Sequence, residues 1–143
     1  MSCKVASGEI VPTGGELKRN PHFNVSHDVK YMIPGFLIVA SNRHFKRLDE
    51  MTGEESVEFI SLTIEARRAL GDALDIMEVF YFYNEDTRHH FHLWIIPKLE
   101  WMERFGRSLE CLAPALKWAE ENLIGEDARK AVAEASARIQ GAW

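Results

Sequence analysis

The segment Arg88–Pro97, RHHFHLWIIP, places His89, His90 and His92 within four positions. The chain has six histidines, so half of its near-neutral proton carriers sit in one short stretch. Read as a strand, its side chains alternate. Arg88, His90, His92, Trp94 and Ile96 share one face; His89, Phe91, Leu93 and Ile95 share the other. Two imidazoles and an indole then line one side, with neighbours about 7 Å apart. Burying imidazoles costs free energy unless they are hydrogen-bonded, so this is neither an ordinary solvent face nor an ordinary core face. Three chemistries fit. The histidines can be satisfied structurally. They can hold a metal, but that needs further ligands; Glu100 comes late, beyond Pro97, and His44 would have to join from another strand. Or an unprotonated imidazole can attack an activated phosphate, splitting one hard displacement into two through a phosphoramidate. A second imidazole would then move a proton, and backbone N–H groups at the adjacent turn would hold the phosphate oxygens.

The elements that must position these residues are partly legible. HFNVSHDV (22–29) sets Phe23 and Val25 against polar neighbours and reads as a short strand ending near Asp28. IPGFLIVASNRH (33–44) is an apolar run after a Pro-Gly turn and reads as a buried strand. Thr52 followed by Glu55 is a capping box, so a helix starts at Gly53 and runs to about Leu74. Phe59, Leu62, Ala66, Ala69 and Ala73 give it an apolar face, which Val57, Ile60 and Ile64 widen. EVFYFYNED (78–86) and HHFHLWIIP read as two strands of a hairpin with a tight connection. Two helices, separated near Gly125, complete the chain. Strands, helix, hairpin, helices in that order predict an α+β fold with an antiparallel sheet.

The bulk properties bound the function. The 143 residues suit a single domain, 1–143, with a core over 3–97 and a helical extension over 98–143. Seventeen Lys and Arg against 22 Asp and Glu leave a net charge of −5, which excludes a whole-protein basic footprint for large nucleic acid but not a small anionic ligand. Cys3 and Cys111 form no metal-binding or redox motif. A cytoplasmic protein is the natural reading, with no membrane span and no metal or other cofactor expected.

The residues as a set resemble the histidine triad family of nucleotide hydrolases and transferases. Its signature is three alternating histidines on a strand. His90-Phe91-His92-Leu93-Trp94-Ile95-Ile96-Pro97 fits it, with Trp94 in place of the third histidine. CKVASGEIVP (3–12), HDVKYMIPGFLIVASNRH (27–44) and LDEMTGEE (48–55) are similar to other family segments, in the same order. HFHLWIIPKLEWM is similar to a bacterial subgroup often labelled diadenosine tetraphosphate hydrolases. The resemblance implies a five-stranded antiparallel sheet with a packed helix, additional C-terminal helices and a homodimer whose sheets join. It implies that His92 is the nucleophile at the α-phosphate of a nucleotide and that His90 supports it. Asp28 would bond the ribose, His27 and Val29 would line the base pocket, Asn84 and Thr87 would contact phosphate, and Trp94 would belong to the nucleotide-binding set. Phe36 also falls where many members carry an upstream histidine. The indole of Trp94 can donate a hydrogen bond but cannot relay a proton, so substrates with good leaving groups are favoured; the resemblance alone implies adenine as their base. The same two departures leave a nucleotide-binding protein with weak catalysis as the alternative.

Overall fold

The computed structural model describes residues 14–143; the segment 3–12, with Cys3, lies outside the described residues. Five strands form one antiparallel sheet: β1 (Glu16–Arg19), β2 (Phe23–His27), β3 (Leu37–Ser41), β4 (Val79–Phe82) and β5 (His92–Pro97), in the order β1-β2-β3-β5-β4. Three α-helices, α1 (Gly53–Leu74), α2 (Leu109–Asn122) and α3 (Gly125–Gly141), and two short 3-10 helices, Leu48–Glu50 and Glu100–Phe105, complete the described fold. The expected five-stranded antiparallel α+β architecture is therefore present. No helix among the described residues is long and apolar enough to cross a membrane.

Helix α1 spans the residues its capping box predicts. The Glu55 amide donates to Thr52 Oγ1 at 3.1 Å, and the Thr52 amide donates to Glu55 Oε1 at 2.9 Å. The same buried carboxylate grips Arg43, at 3.0 Å from Nε and 2.9 Å from Nη2. That guanidinium holds the Glu55 pKa down to about 2, against the opposing effect of burial. One carboxylate thus caps the helix and ties it to the segment leaving β3. Helix α1 covers one face of the sheet, where Leu62, Ala66 and Leu70 meet Phe23, Val25, Val39 and Ile95.

The other face is covered by the C-terminal segment. Met102, Cys111, Ala115 and Ala119 pack with Ile33, Phe36 and Ile96. Helix α3 returns to the first layer, where Ile139 joins the cluster under α1. The residues beyond 97 are therefore woven into both layers rather than appended to a finished core.

Three expectations are corrected. Val57, Ile60 and Ile64 do not widen the core face of α1; they are 64 %, 53 % and 45 % exposed, because the sheet covers the Leu62–Ala66–Ala69 side. The connection from β4 to β5 is not tight, since residues 83–91 lie between the strands. And β5 begins at His92, so His89 and His90 belong to that loop and escape strand alternation.

Candidate active site

Strand register builds the site's floor. Residues directly opposite one another in an antiparallel pair point to the same face. Ser26 pairs with Ile38, Ile38 with Trp94, and Trp94 with Phe82, forming one row across four strands. Asn24, Ala40 and His92 form the next. Above these rows lies a cavity of about 180 Å³, lined by Asn24, Ser26, Ile38, Ala40, His92 and Trp94 together with His27–Tyr31 and His89. The structure thus brings together five predicted site residues: His27, Asp28, Val29, His92 and Trp94.

His92 is oriented by backbone. Its Nδ1 lies 2.8 Å from the His90 carbonyl, and a carbonyl only accepts. Nδ1 therefore carries the proton in the neutral ring, which leaves the lone pair on Nε2. That is the tautomer a nucleophilic imidazole needs. His90 acts on His92 through this carbonyl. Its own ring is 8 % exposed, directs Nδ1 at the Ser41 carbonyl at 3.2 Å and stands edge-on to His44, outside the cavity lining. Burial lowers its pKa.

The loop before β5 is pinned at several points. Phe91 donates its amide to the Phe45 carbonyl at 2.6 Å and accepts from the Ser41 amide at 2.9 Å. Tyr83 anchors the loop's start, its hydroxyl 3.0 Å from the Lys46 carbonyl and 2.9 Å from Glu85 Oε2. Burial, reinforced by that carboxylate, pushes the Tyr83 hydroxyl up to about 12. Asn84 is exposed, and neither it nor Thr87 lines the cavity. Thr87 instead shapes the loop, its Oγ1 accepting the His89 amide at 3.2 Å. His89 consequently turns onto the cavity wall, its ring centroid 6.2 Å from that of His92. The sequence reading placed it on the opposite face.

Asp28 opens the loop that forms the cavity's other wall. Its Oδ2 accepts the amides of Lys30 at 2.9 Å and Tyr31 at 2.6 Å, a side-chain-to-backbone turn. Burial raises the carboxyl pKa, opposed by those two amides. His27 supports the turn from within, its two ring nitrogens each 2.8 Å from a carbonyl, of Asp28 and Ile33. Burial lowers its pKa, offset in part by those carbonyls.

Phe36 and Trp94, the two departures from the triad pattern, touch each other. Their ring centroids are 5.4 Å apart and edge-to-face. Tyr31 stacks on Phe36 at 5.8 Å and meets Trp94 edge-on at 6.2 Å. The cavity's end wall is thus aromatic.

Sequence reasoning missed Asn24, Ser26, Lys30, Tyr31, Ile38, Ala40 and His89 as lining residues. A signal existed for the first two: polar residues alternating with Phe23 and Val25 in a strand that is wholly buried. Asn24 is 2 % exposed and its amide orientation is fixed by a relay. Asn42 Nδ2 donates to the carbonyls of Asn20 and Pro21, so Asn42 Oδ1 accepts from Asn24 Nδ2 at 2.9 Å. Asn24 Nδ2 also lies 3.3 Å from the Ala40 carbonyl. Both donors of the Asn24 amide are therefore engaged.

No family model and no curated protein matches this chain. Solved structures do. A Hit-like protein involved in cell-cycle regulation from Bartonella henselae, crystallised with an unknown ligand, superposes with a TM-score of 0.69 at 17 % identity, over 98 % of this chain and 92 % of that one. A hypothetical histidine triad nucleotide-binding protein from Sulfolobus tokodaii gives 0.65 at 14 % identity, over 97 % and 91 %. A zinc-bound histidine triad family protein from Mycobacterium smegmatis gives 0.64 at 16 % identity, over 99 % and 95 %. At these identities the likeness establishes a histidine-triad-like fold, C-terminal helices included.

Proposed function

We propose that the protein is a nucleotidyl hydrolase or transferase acting at the α-phosphate of a nucleoside polyphosphate. One observation carries the reading: a cavity that combines a His92 whose Nε2 keeps the lone pair with the buried carboxylate of Asp28. In the first step Nε2 attacks the α-phosphorus in line and the polyphosphate leaves on its own oxygen. In the second, water attacks the same phosphorus, the P–N bond breaks and the nucleoside monophosphate departs. Asp28 would hold the ribose, and Val29, Ile38 and Ala40 supply the apolar bed for a base. Diadenosine tetraphosphate hydrolysed in ¹⁸O-water tests this. Attack at the α-phosphate yields AMP and ATP with the heavy oxygen in AMP; label in ATP, or two ADP molecules, would contradict it.

The buried polar pair Asn24 and Ser26 on the cavity floor supports adenine as the base, because each side chain offers an acceptor oxygen and adenine offers an exocyclic amine where hypoxanthine offers a carbonyl. AMP is expected to bind about tenfold more tightly than IMP by calorimetry, the order of one hydrogen bond to a buried group. Ser26→Ala and Asn24→Leu should narrow that ratio.

A second reading, a nucleotide-binding protein with weak catalysis, is favoured by the Phe36–Trp94 contact, which puts an apolar pair where proton carriers would stand. It predicts AMP binding without turnover. We further propose a second copy of the chain as partner. The exposed Ile60 and Ile64 on α1 lie in a groove with Tyr81 of the edge strand β4, an apolar strip of the kind that marks an interface.

A further inference from the structure

Taking the cavity as a site of nucleotidyl transfer, the reading on which this rests, we propose that Asn42 is a positioning residue for base selection: it holds the Asn24 amide so that a nucleotide base meets its accepting end. Asn24 lies mid-strand in β2, 2 % exposed, between Arg19 of β1 and Ala40 of β3, and it lines the cavity. Asn42 follows the end of β3 and stands outside the lining. An amide has a donating end and an accepting end of nearly equal shape, and its last torsion has two broad wells. Neighbours therefore choose which end turns inward.

A relay makes that choice. Asn42 Nδ2 donates to the Asn20 carbonyl at 3.1 Å and to the Pro21 carbonyl at 3.2 Å. Carbonyls only accept, so the Asn42 amide has one orientation, and its Oδ1 is the atom that meets Asn24 Nδ2 at 2.9 Å. The Ala40 carbonyl adds a longer contact to the same Nδ2 at 3.3 Å. A flipped Asn24 would set its oxygen against two oxygens in a buried place. The anchoring turn is itself fixed. The Asn42 backbone amide donates to the His22 carbonyl at 2.8 Å, and Asn20 Oδ1 accepts the amides of His22 at 3.1 Å and Phe23 at 2.7 Å.

With both hydrogens of Nδ2 directed at Ala40 and Asn42, a contact between Asn24 and a base runs through the amide oxygen. The amine of adenine donates to that oxygen; a carbonyl at the same place on hypoxanthine or guanine repels it. Ser26, the next residue on this face of β2, does not make the distinction by itself, because a hydroxyl donates as readily as it accepts. Selection therefore traces back through Asn24 to Asn42, and from there to two backbone carbonyls of the turn between β1 and β2. In Asn42→Ala, water would take the place of the side chain. Water donates or accepts equally well, so it would leave the Asn24 amide able to turn.

The test is calorimetry with AMP and with purine riboside 5′-monophosphate, which is AMP without the amine, on the unmodified protein, Asn42→Ala and Asn42→Asp. The unmodified protein should prefer AMP by about tenfold, the order of one hydrogen bond to a buried group. Asn42→Ala should reduce that preference to about threefold or less, as the bond is made only part of the time. Asn42→Asp should keep it, because a carboxylate still accepts from Asn24 Nδ2 although it cannot donate to the Asn20 and Pro21 carbonyls. Full preference in Asn42→Ala would overturn the assignment. So would equal loss in both variants, which marks a role in the turn rather than in orienting Asn24. An unmodified protein that binds both nucleotides equally also overturns it, and leaves the transfer reading in place. Absence of AMP binding, together with absence of a nucleotidyl adduct from diadenosine tetraphosphate, would instead defeat the transfer reading and the role of Asn42 with it.

Discussion

Replacing His92 with glycine is expected to abolish turnover of nucleoside polyphosphates while leaving the fold and AMP binding in place. The loss should reach about 10⁴-fold or more, the scale seen when a covalent nucleophile is removed. Three observations set this expectation. The ring sits on β5 opposite Ala40, on the floor of the cavity. Its Nδ1 is committed to the His90 carbonyl, so Nε2 is the nitrogen that can attack. And it is only partly buried, so removing it leaves no cavity in a packed core. Steady-state assay of product release beside AMP calorimetry separates the two effects. Retention of more than a tenth of the activity would show that the nucleophile lies elsewhere.

Phe36→Ala is expected to destabilise the protein by about 3–5 kcal/mol, as for other fully buried aromatic truncations. Phe36 is 0 % exposed and carries both aromatic partners of the cavity's end wall, Tyr31 and Trp94. It also joins the cluster that α2 closes through Cys111 and Ala115. Its loss should therefore loosen the wall as well as the core, and AMP affinity should fall by about tenfold, on the scale of one lost aromatic contact. Phe36→His should do little better, because a buried imidazole there meets rings rather than acceptors. Adding Trp94→His should couple with it, since the two rings are in contact. Urea denaturation at neutral pH gives the stability change. A loss below about 1 kcal/mol would mean that Phe36 does not support the wall.

The sequence departures at positions 36 and 94 read as two separate losses of histidine; in the fold they are one edge-to-face contact. That is legible only once β3 and β5 are paired, which no local pattern specifies. Local signals read well by contrast. The start of α1 follows from Thr52 and Glu55, three residues apart, and the capping box is formed by just those groups. His27, Asp28 and Val29 fell together because a short turn holds them together. The His89 placement failed because period-two alternation was extended across residues 88–91, where loop hydrogen bonds to Phe45 and Ser41 set the direction instead. The helix stripe was misjudged for a related reason. Val57, Ile60 and Ile64 repeat at helical spacing, but spacing alone does not say which part of a wide apolar face the sheet covers. The exposure of Ile60 and Ile64, in a groove with Tyr81 of β4, is what motivates a second copy as partner.

The most direct test of the account is intact-protein mass spectrometry after a brief acid quench with diadenosine tetraphosphate, the sample returned at once to basic pH because the phosphoramidate bond is acid-labile. A gain of one adenylyl mass is expected on the unmodified protein and none on His92→Gly. No adduct on the unmodified protein, with AMP still bound by calorimetry and no product released, would contradict it and identify a protein that binds nucleotides without transferring them.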